Sequence, residues 1–550
     1  MSSSPPCCAG SPRRGCSTTS RPTPAARCCG RSRRSRPTSA RRPDPMTDAP
    51  YRLADQPSVP AGHRRRPAFV HRGRAVTFAD LDDAASRFAA ASRAAGLRPG
   101  DRVLLLAPNA IETFEVLIGC ARAGLVTVPV NWRLAPGELA AVAADAGARL
   151  VVADPSLAHL MWAVVDSGVE VLTLGSRYEA WLADAPAGAP AVPSSPDDVV
   201  LQVYTSGTSG RPKGVLLTDG NLATKVPGVT PRWGLAPESV SLLATPLFHV
   251  GALSWGLAGL HAGATTVLAG DAAPETLLGH LTDDAVTHTF LVPAMIARLC
   301  EEAPEGTTFP ALRTVLYGAS PISAQTQKAA LRLFGPVLHQ VYGLSETTGS
   351  LTEFVPGQDL PADSPLHRSA GRPYPWIEVE IRDPGTGERL PANTFGEVWT
   401  RSAQNSPGYF GLPAETAELL TPDGWLRTGD GGHLDDDGYL FLTDRVKDLI
   451  ISGGENVYPA EVETVLRTNP AVADVAVFGL PDERWGEVVA AAVVPRGSVS
   501  PDDLIAFTDG LLAGYKRPRT VRIVDELPRN AAGKVLRRVL RDGALEGRPA

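Results

Sequence analysis

A loop rich in glycine and hydroxyl side chains follows an apolar stretch in the first half of the chain. Tyr204–Val215 reads YTSGTSGRPKGV, and the apolar run Asp198–Tyr204 leads directly into it. Glycines allow a tight turn that brings backbone N–H groups close to an anion, hydroxyls donate hydrogen bonds and lysine adds positive charge. These residue types could wrap a polyphosphate, but taken alone a Ser/Gly loop is more often a solvated linker, so the neighbouring motifs must decide between the two. The candidate phosphate-binding residues are Thr205, Ser206, Gly207, Thr208, Ser209, Gly210 and Lys213.

The loop matches neither the GxxxxGK[ST] nor the GxGxxG spacing, so other motifs must identify its chemistry. Acidic, basic and glycine-rich strings follow it in a fixed order: YGAS (Tyr317–Ser320), YGLSETTG (Tyr342–Gly349), GWLRTGD (Gly424–Asp430), DRVKDLIISGGENVYPAEVE (Asp444–Glu463) and LPRNAAGKVLRR (Leu527–Arg538). GxSxG and HExxH are both missing from the sequence, which argues against a serine hydrolase or a zinc protease.

In this order and spacing the strings resemble the motifs of the AMP-forming, adenylate-forming enzymes. That family includes acyl-CoA synthetases, aryl-CoA ligases, firefly luciferase and peptide-synthetase adenylation domains. Its phosphate loop reads close to YTSGTTGxPKGV, and this chain has Ser209 at the second threonine. The resemblance covers about Ala68 to Asp542. It is strongest to fatty acyl-CoA ligases, through VPVNWRLAPGEL (Val128–Leu139) and PLFHVGAL (Pro246–Leu253).

The resemblance implies binding roles for the nucleotide. Tyr342, with Gly343 beside it, packs on adenine; Ser345 contacts the α-phosphate; and Glu346 holds Mg²⁺. A carboxylate together with phosphate oxygens suits this hard cation. Most relatives have threonine where Ser345 stands, so the hydroxyl is kept. The resemblance also implies an adenine-lining stretch of backbone, formed by Gly318, Ala319 and Ser320. It implies a ribose-binding pair as well, formed by Asp430 and Arg445.

The resemblance also divides the reaction into two halves. Lys534 offsets the repulsion between a carboxylate and the α-phosphate of ATP and stabilises charge in the transition state. The small C-terminal domain then rotates about Lys447, so that Gly453 and Gly454 line the channel for the CoA thiol. His249 lies at the mouth of the acyl pocket. The implied products are acyl-CoA, AMP and pyrophosphate.

Three alternatives remain beside a fatty acyl-CoA ligase. One is an acyl- or aryl-AMP ligase that loads an acyl carrier protein, although such fatty acyl-AMP ligases usually read nearer PLYHDMG around His249. An amino-acid adenylation domain is disfavoured because the chain has no FDxS segment. A catalytically inactive relative is disfavoured because Glu346, Asp430 and Lys534 are intact.

Helical and apolar segments alternate between Ala68 and Pro155, which predicts right-handed crossovers and a parallel sheet, with a helix opened at Thr77 or Asp80. Antiparallel strands are predicted after about Arg372. We therefore expect an α/β protein whose large N-terminal domain, residues 46–444, combines parallel α/β subdomains with a β-rich subdomain. A boundary is expected near Asp444–Lys447. The family resemblance implies that residues 445–447 form a hinge and that residues 448–550 form a small, mobile α+β lid.

Composition narrows the class of protein further. The chain has 550 residues, of which 43% are hydrophobic and 20% charged, and this balance excludes a wholly disordered chain. Its net charge of −6 argues against a nucleic-acid partner. Residues 1–45 contain 10 of the arginines and five of the seven cysteines. We interpret them as a disordered tail or as sequence upstream of a true start at Met46. The remaining cysteines, Cys120 and Cys300, favour a reducing compartment.

One long uncharged stretch, Ser239–Gly270, must be weighed as a membrane span. It is rich in Gly, Ala and Thr and contains Pro246, His249 and His261, whereas spans are usually richer in large aliphatic residues. We therefore expect a buried strand, turn and helix with no transmembrane segment, in a soluble cytoplasmic protein.

Overall fold

The computed structural model describes residues 51–162, 169–185, 191–206, 212–355, 360, 364–445, 448, 450–452, 455–457, 459–482, 484–529 and 535–545. Some of the predicted site residues lie outside the described residues, and their roles stay predictions: Gly207, Thr208, Ser209, Gly210, Lys447, Gly453, Gly454 and Lys534. The predicted tail, residues 1–45, is outside them too.

The helices of the described residues are α1 (Phe78–Ala94), α2 (Glu112–Ala123), α3 (Pro136–Ala146), α4 (Ala158–Trp162), α5 (Ser176–Ala183), α6 (Asp219–Arg232), α7 (Val250–Ala262), α8 (Pro274–Asp283), α9 (Pro293–Glu302), α10 (Ala324–Phe334), α11 (Pro413–Leu419), α12 (Pro459–Arg467), α13 (Pro501–Phe507) and α14 (Arg537–Leu545).

The strands are β1 (Pro67–His71), β2 (Arg74–Thr77), β3 (Arg102–Leu106), β4 (Val126–Pro129), β5 (Leu150–Ala153), β6 (Glu170–Thr173), β7 (Val199–Ser206), β8 (Pro212–Thr218), β9 (Val240–Leu243), β10 (Thr265–Leu268), β11 (His288–Leu291), β12 (Thr314–Tyr317), β13 (Leu338–Leu344), β14 (Gly349–Phe354), β15 (Arg372–Pro373), β16 (Glu378–Arg382), β17 (Gly396–Arg401), β18 (Leu426–Leu434), β19 (Leu440–Arg445), β20 (Ile450–Ser452), β21 (Glu455–Val457), β22 (Val472–Asp482), β23 (Gly486–Pro495) and β24 (Thr520–Ile523).

Two large sheets build most of the N-terminal domain. One has the order β6-β5-β3-β4-β7-β8 and is parallel except for β8, which forms an antiparallel hairpin with β7. The other has the order β15-β14-β13-β12-β11-β9-β10-β1-β2, parallel from β13 to β1. A shared core joins them, since its fully buried side chains include Leu201 of the first sheet, Leu243 of the second and Trp255 of α7.

The predicted helix start at Thr77 is confirmed, and its physical cause is visible. The hydroxyl of Thr77 accepts a hydrogen bond from the backbone N–H of Asp80, whose carboxylate in turn accepts one from the N–H of Thr77. This reciprocal capping satisfies two backbone donors that the first turn of a helix leaves free. One detail differs from the prediction: β1 and β2 join the nine-stranded sheet, because β1 pairs with the distant β10.

A four-stranded sheet, here called the β-rich sheet, and a five-stranded C-terminal sheet complete the predicted α/β class. The sheet β16-β17-β18-β19 is antiparallel throughout, as expected after Arg372. The C-terminal sheet has the order β21-β20-β23-β22, with β24 also paired to β23. In this domain Arg537, three positions beyond Lys534, donates to the buried carboxylate of Glu463 at 2.8 Å and so attaches α14 to α12.

The uncharged stretch Ser239–Gly270 folds as predicted into a strand, a turn and a helix, β9 and α7, and then continues into β10. Both β9 and α7 are largely buried. Among the residues that the structure describes, every helix is too short or too polar to cross a bilayer.

Candidate active site

The predicted phosphate loop lies at the tip of the β7–β8 hairpin. Thr205 pairs with Lys213 and Ser206 with Pro212 at the last described positions on either side of the loop. The hairpin is anchored near its tip by Tyr204, whose hydroxyl donates to Oδ2 of Asp145 at 2.5 Å and accepts from the amide of Gln202 at 2.9 Å. The anchored strands therefore fix where the loop begins and ends.

Glu346 occupies a single 3₁₀ turn, Ser345–Thr347, between β13 and β14. Its carboxylate Oε1 accepts a hydrogen bond of 2.8 Å from the hydroxyl of Tyr409. The ammonium of Lys213, from the phosphate hairpin, lies over the same tyrosine ring, 4.9 Å from its centroid. Two motifs that are far apart in the sequence, the phosphate hairpin and YGLSE, therefore meet at one side chain.

The segment before Tyr409 forms hydrogen bonds that stabilise the Glu346 turn. The backbone carbonyl of Glu346 accepts from the N–H of Ser406 at 2.8 Å. The buried side-chain amide of Gln404 donates to the carbonyl of Thr347 at 2.8 Å, and the backbone carbonyl of Gln404 accepts from the hydroxyl of Thr348 at 2.5 Å. Because Thr348 adopts a left-handed conformation, φ 53°, these bonds stabilise a turn that its backbone alone does not favour.

A fully buried lysine supports the same turn. Lys225 of α6 donates to both the carbonyl and the hydroxyl of Ser350, at the start of β14, and its ammonium lies 5.0 Å from the ring centroid of Tyr374. Burial lowers its pKa well below the ordinary value, because the charged form is poorly solvated there. Lys225 thus ties α6 to the strand that follows Glu346.

The predicted adenine and ribose residues also meet. The hydroxyl of Tyr342, at the end of β13, donates to Oδ2 of Asp430 in β18 at 2.7 Å. Asp430 pairs through its backbone with Arg445, whose side chain lies outside the described part of the structure, so its expected contact with the ribose stays a prediction. This contact joins the nine-stranded sheet to the β-rich sheet.

Two glycines of the predicted nucleotide site are required by close packing. A Cβ on Gly318 would lie 2.4 Å from the carbonyl oxygen of Val341, and one on Gly343 would lie 2.0 Å from that of Gly349. Ala319 follows with φ 69°, and both Ala319 and Ser320 are exposed. In YGAS, the backbone at Gly318 therefore packs tightly against β13, whereas Ala319 and Ser320 are exposed to solvent.

His249 occupies the exposed N-cap position of α7, without a capping bond from its side chain, where the two acyl-ligase strings meet. Its ring lies 4.4 Å from that of Phe248, which in turn contacts Trp132 at 6.4 Å. The surrounding protein, together with the charge of Arg133, lowers the pKa of His249 to about 4. The imidazole is therefore neutral at neutral pH.

Comparisons with known proteins agree with this geometry. The model of the AMP-binding enzyme family matches residues 57–410, and that of the AMP-binding enzyme C-terminal domain matches residues 461–534. The chain belongs to the AMP-binding enzymes. As the motifs predicted, it is an adenylate-forming ligase of the acyl-CoA synthetase type, a class that uses ATP and CoA.

Three relatives illustrate the range of the family. The chain is 39% identical to a fatty acid–[acyl-carrier-protein] ligase, ScoC, of Streptomyces coeruleorubidus, covering 86% of this chain and 93% of that one. It is 39% identical to a feruloyl-CoA synthase of an Amycolatopsis species, with 86% and 94% covered. The crystal structure of ATP-bound MatB from Rhodopseudomonas palustris superposes with a TM-score of 0.82 at 30% identity, with 89% and 98% covered.

The Glu346 turn of this AMP-binding enzyme offers one carboxylate oxygen that would suit Mg²⁺. The bond to Tyr409 uses one carboxylate oxygen and orients the group, so the other remains able to bind a hard cation beside phosphate oxygens. In the part of the chain that the structure describes, no three His, Cys, Asp or Glu side chains cluster as a metal site by themselves.

Sequence reasoning missed Tyr409, Gln404 and Lys225. Tyr409 follows an ordinary Ser-Pro-Gly turn and lies 63 positions from Glu346, so no local pattern marks it. Gln404 and Lys225 look like ordinary surface residues in the sequence, yet both are fully buried. The segment around Lys225, NLATKV, mixes polar and apolar residues, so its sequence gives no local signal for the burial of this lysine.

Proposed function

We propose that this enzyme activates a fatty acid with ATP and Mg²⁺ and transfers the acyl group to CoA. The observation that carries the proposal is the bond from Tyr342 to Asp430, which brings the expected adenine-packing ring beside the expected ribose-binding carboxylate. The expected phosphate cation, Lys213, and the expected metal ligand, Glu346, likewise share Tyr409. The nucleoside of ATP is therefore matched by Tyr342 and Asp430, and its phosphates are matched by Lys213 and Glu346.

In the first half-reaction, a carboxylate oxygen of the acid attacks the α-phosphorus of ATP, and the bond to pyrophosphate breaks. Thr205 and Lys213 bind phosphate oxygens, and Ser345 donates to the α-phosphate. Glu346 would hold Mg²⁺, which would neutralise charge on the phosphates. Lys534 approaches from the small domain and stabilises the negative charge that two approaching anions create.

In the second half-reaction, Lys534 withdraws as the small domain rotates about Lys447. Gly453 and Gly454 then border the channel, where side chains would obstruct the pantetheine arm. The thiolate attacks the acyl carbon, AMP leaves, and a thioester forms. His249, neutral at working pH, lies at the acyl entrance and adds no charge that would repel or bind the acid.

Carrier-protein loading is the second candidate, and a specific similarity favours it: ScoC, 39% identical to this chain, is named a fatty acid–[acyl-carrier-protein] ligase. An aromatic acid is a further option for the substrate, given the equal identity to a feruloyl-CoA synthase. We place the enzyme in the cytoplasm, where ATP, CoA and a reducing environment for Cys120 and Cys300 are all available.

The deciding experiment scores pyrophosphate release from a panel of short, medium and long fatty acids and of aromatic acids. Each acid is assayed alone, with CoA and with a phosphopantetheinylated carrier protein, using Glu346→Gln as the background control. Release with fatty acids, together with formation of acyl-CoA, supports the main proposal. Thioester formation only on the carrier protein supports the second candidate. No release with any acid contradicts both.

A further inference from the structure

We propose that Tyr409 is a positioning residue. It keeps the metal-binding carboxylate of Glu346 apart from the phosphate-loop ammonium of Lys213 and orients each of them toward its own ligand. The inference rests on the proposed function, because it takes Glu346 as the Mg²⁺ ligand and Lys213 as a phosphate-binding cation. It concerns a residue outside the motifs that led to that function.

One tyrosine contacts two opposite charges in different ways. Its hydroxyl donates to Oε1 of Glu346 at 2.8 Å, a hydrogen bond strengthened by the charge of the acceptor. Its ring face lies 4.9 Å from the ammonium of Lys213, within the range of a cation–π contact. The edge of the side chain thus binds the anion, and its face binds the cation.

The backbone around Tyr409 is fixed on both sides. Phe410 donates through its N–H to the carbonyl of Gly214 at 2.8 Å, and the N–H of Leu216 donates to the carbonyl of Gly408 at 3.0 Å. The N–H of Tyr409 donates to the hydroxyl of Thr416 at 3.0 Å. Because these partners belong mainly to β8, the ring moves with the phosphate hairpin rather than independently.

The physical consequence concerns a competing ion pair. Without an intervening group, the carboxylate of Glu346 and the ammonium of Lys213 would attract each other and neutralise the two groups that the nucleotide needs. In the described part of the chain, the two side chains form no ion pair within 4.0 Å. Tyr409 satisfies each of them separately, which leaves Glu346 for the cation and Lys213 for the phosphates.

The test separates the hydroxyl from the ring. In Tyr409→Phe, the ring stays over Lys213 but the bond to Glu346 is lost. We expect Mn²⁺ to bind the enzyme–ATP complex about fivefold to tenfold more weakly, measured by electron paramagnetic resonance, because the metal loses only the part of the hydrogen-bond energy that orients its ligand, on the scale of an ordinary net hydrogen bond. Metal-free ATP should bind as in the wild type. In Tyr409→Leu, both metal and metal-free ATP should bind more weakly.

A matched control exists elsewhere in the fold. The hydroxyl of Tyr178 donates to Oε2 of Glu115 at 3.0 Å, so Tyr178→Phe removes the same kind of bond away from the predicted nucleotide-binding residues. It should lower the melting temperature while Mn²⁺ binding stays unchanged. In a Glu346→Gln background, Tyr409→Phe should have little further effect on Mn²⁺, because the group it orients has already lost its charge.

The outcomes of the two proposals are distinguishable. If the wild type fails to bind Mn²⁺ with ATP, or if Glu346→Gln binds as well as the wild type, the metal site of the proposed function is wrong. If the wild type binds, Glu346→Gln does not, and Tyr409→Phe equals the wild type, then only the role of Tyr409 is overturned. A weakened Tyr409→Phe with an unchanged melting temperature supports the proposal.

Discussion

The hydroxyl of Tyr342 donates a 2.7 Å hydrogen bond to Oδ2 of Asp430, across the junction of the nine-stranded and β-rich sheets. The bond aligns an aromatic ring and a carboxylate that lie 88 positions apart in the chain. Each has a separate expected task on the nucleotide, so the junction of the sheets determines how adenine and ribose are presented together.

Loss of the Asp430 carboxylate should therefore weaken binding of the ribose of ATP. The wild type should prefer ATP to 2′-deoxy-ATP, and Asp430→Ala should raise the KM for ATP at least about tenfold, the scale of a lost pair of charge-assisted hydrogen bonds. The Asp430→Ala variant should show almost no preference for ATP over 2′-deoxy-ATP. Asp437→Asn, at an exposed turn of the same sheet, is the control. A variant that keeps the full discrimination would show that Asp430 does not bind the ribose.

Loss of the lysine near the C-terminus should affect one half-reaction. Lys534→Ala should slow acyl-adenylate formation at least about a hundredfold, by analogy with the loss of one oxyanion-type contact. Thioester formation from supplied acyl-AMP should be spared, as measured by CoA consumption. Arg538→Ala removes a neighbouring exposed charge and should leave both rates unchanged. An equal loss in both half-reactions would contradict the division of labour.

The opposite pattern is expected when the thiol channel is obstructed. Gly454→Leu should retain pyrophosphate release but impair transfer to CoA, because the added side chain would enter the channel. Gly514→Leu is the matched control, since a Cβ there meets nothing within 4 Å. Normal CoA turnover in Gly454→Leu would exclude the channel assignment.

A buried carboxylate should make stability depend on pH. Burial, with the nearby charge of Glu112, raises the pKa of Glu115 from 4.5 to about 7. Between these values the folded protein binds more protons than the unfolded chain, so the free energy of unfolding should fall as pH rises from 4.5 to 7 and then level off.

Glu115→Gln tests this dependence, because glutamine can still accept the hydrogen bond of Tyr178 but cannot ionise. Above pH 7 the variant should be more stable than the wild type by up to about 3 kcal/mol, at about 1.4 kcal/mol per pKa unit. The advantage should disappear near pH 4.5 in denaturant unfolding. Glu170→Gln, an exposed control, should show no such trend. A constant difference across pH would refute the assignment.

Several features of the fold could be predicted because neighbouring residues determine them. The start of α1 follows from Thr77 and Asp80, which cap the helix within one turn. The buried strand and helix of Ser239–Gly270 follow from its uncharged, Pro- and Gly-punctuated composition. The order of the nucleotide motifs likewise predicted the family and the α/β class.

Other features depend on contacts between distant segments. β2 and α1 are consecutive in the chain, but pairing of β1 with β10 places β2 in the nine-stranded sheet. The burial of Lys225 and Gln404 required α6 and the segment before Tyr409 to pack on both sides of Ser350.

By itself, then, the sequence determined which chemical groups this enzyme carries and the order in which they occur, since motifs and caps are encoded by residues a few positions apart. Only the tertiary structure decided that Tyr409 joins Glu346 to Lys213 and that Tyr342 meets Asp430. The reason is physical: these contacts arise from how whole sheets and helices bury their apolar faces, and no local pattern encodes that packing.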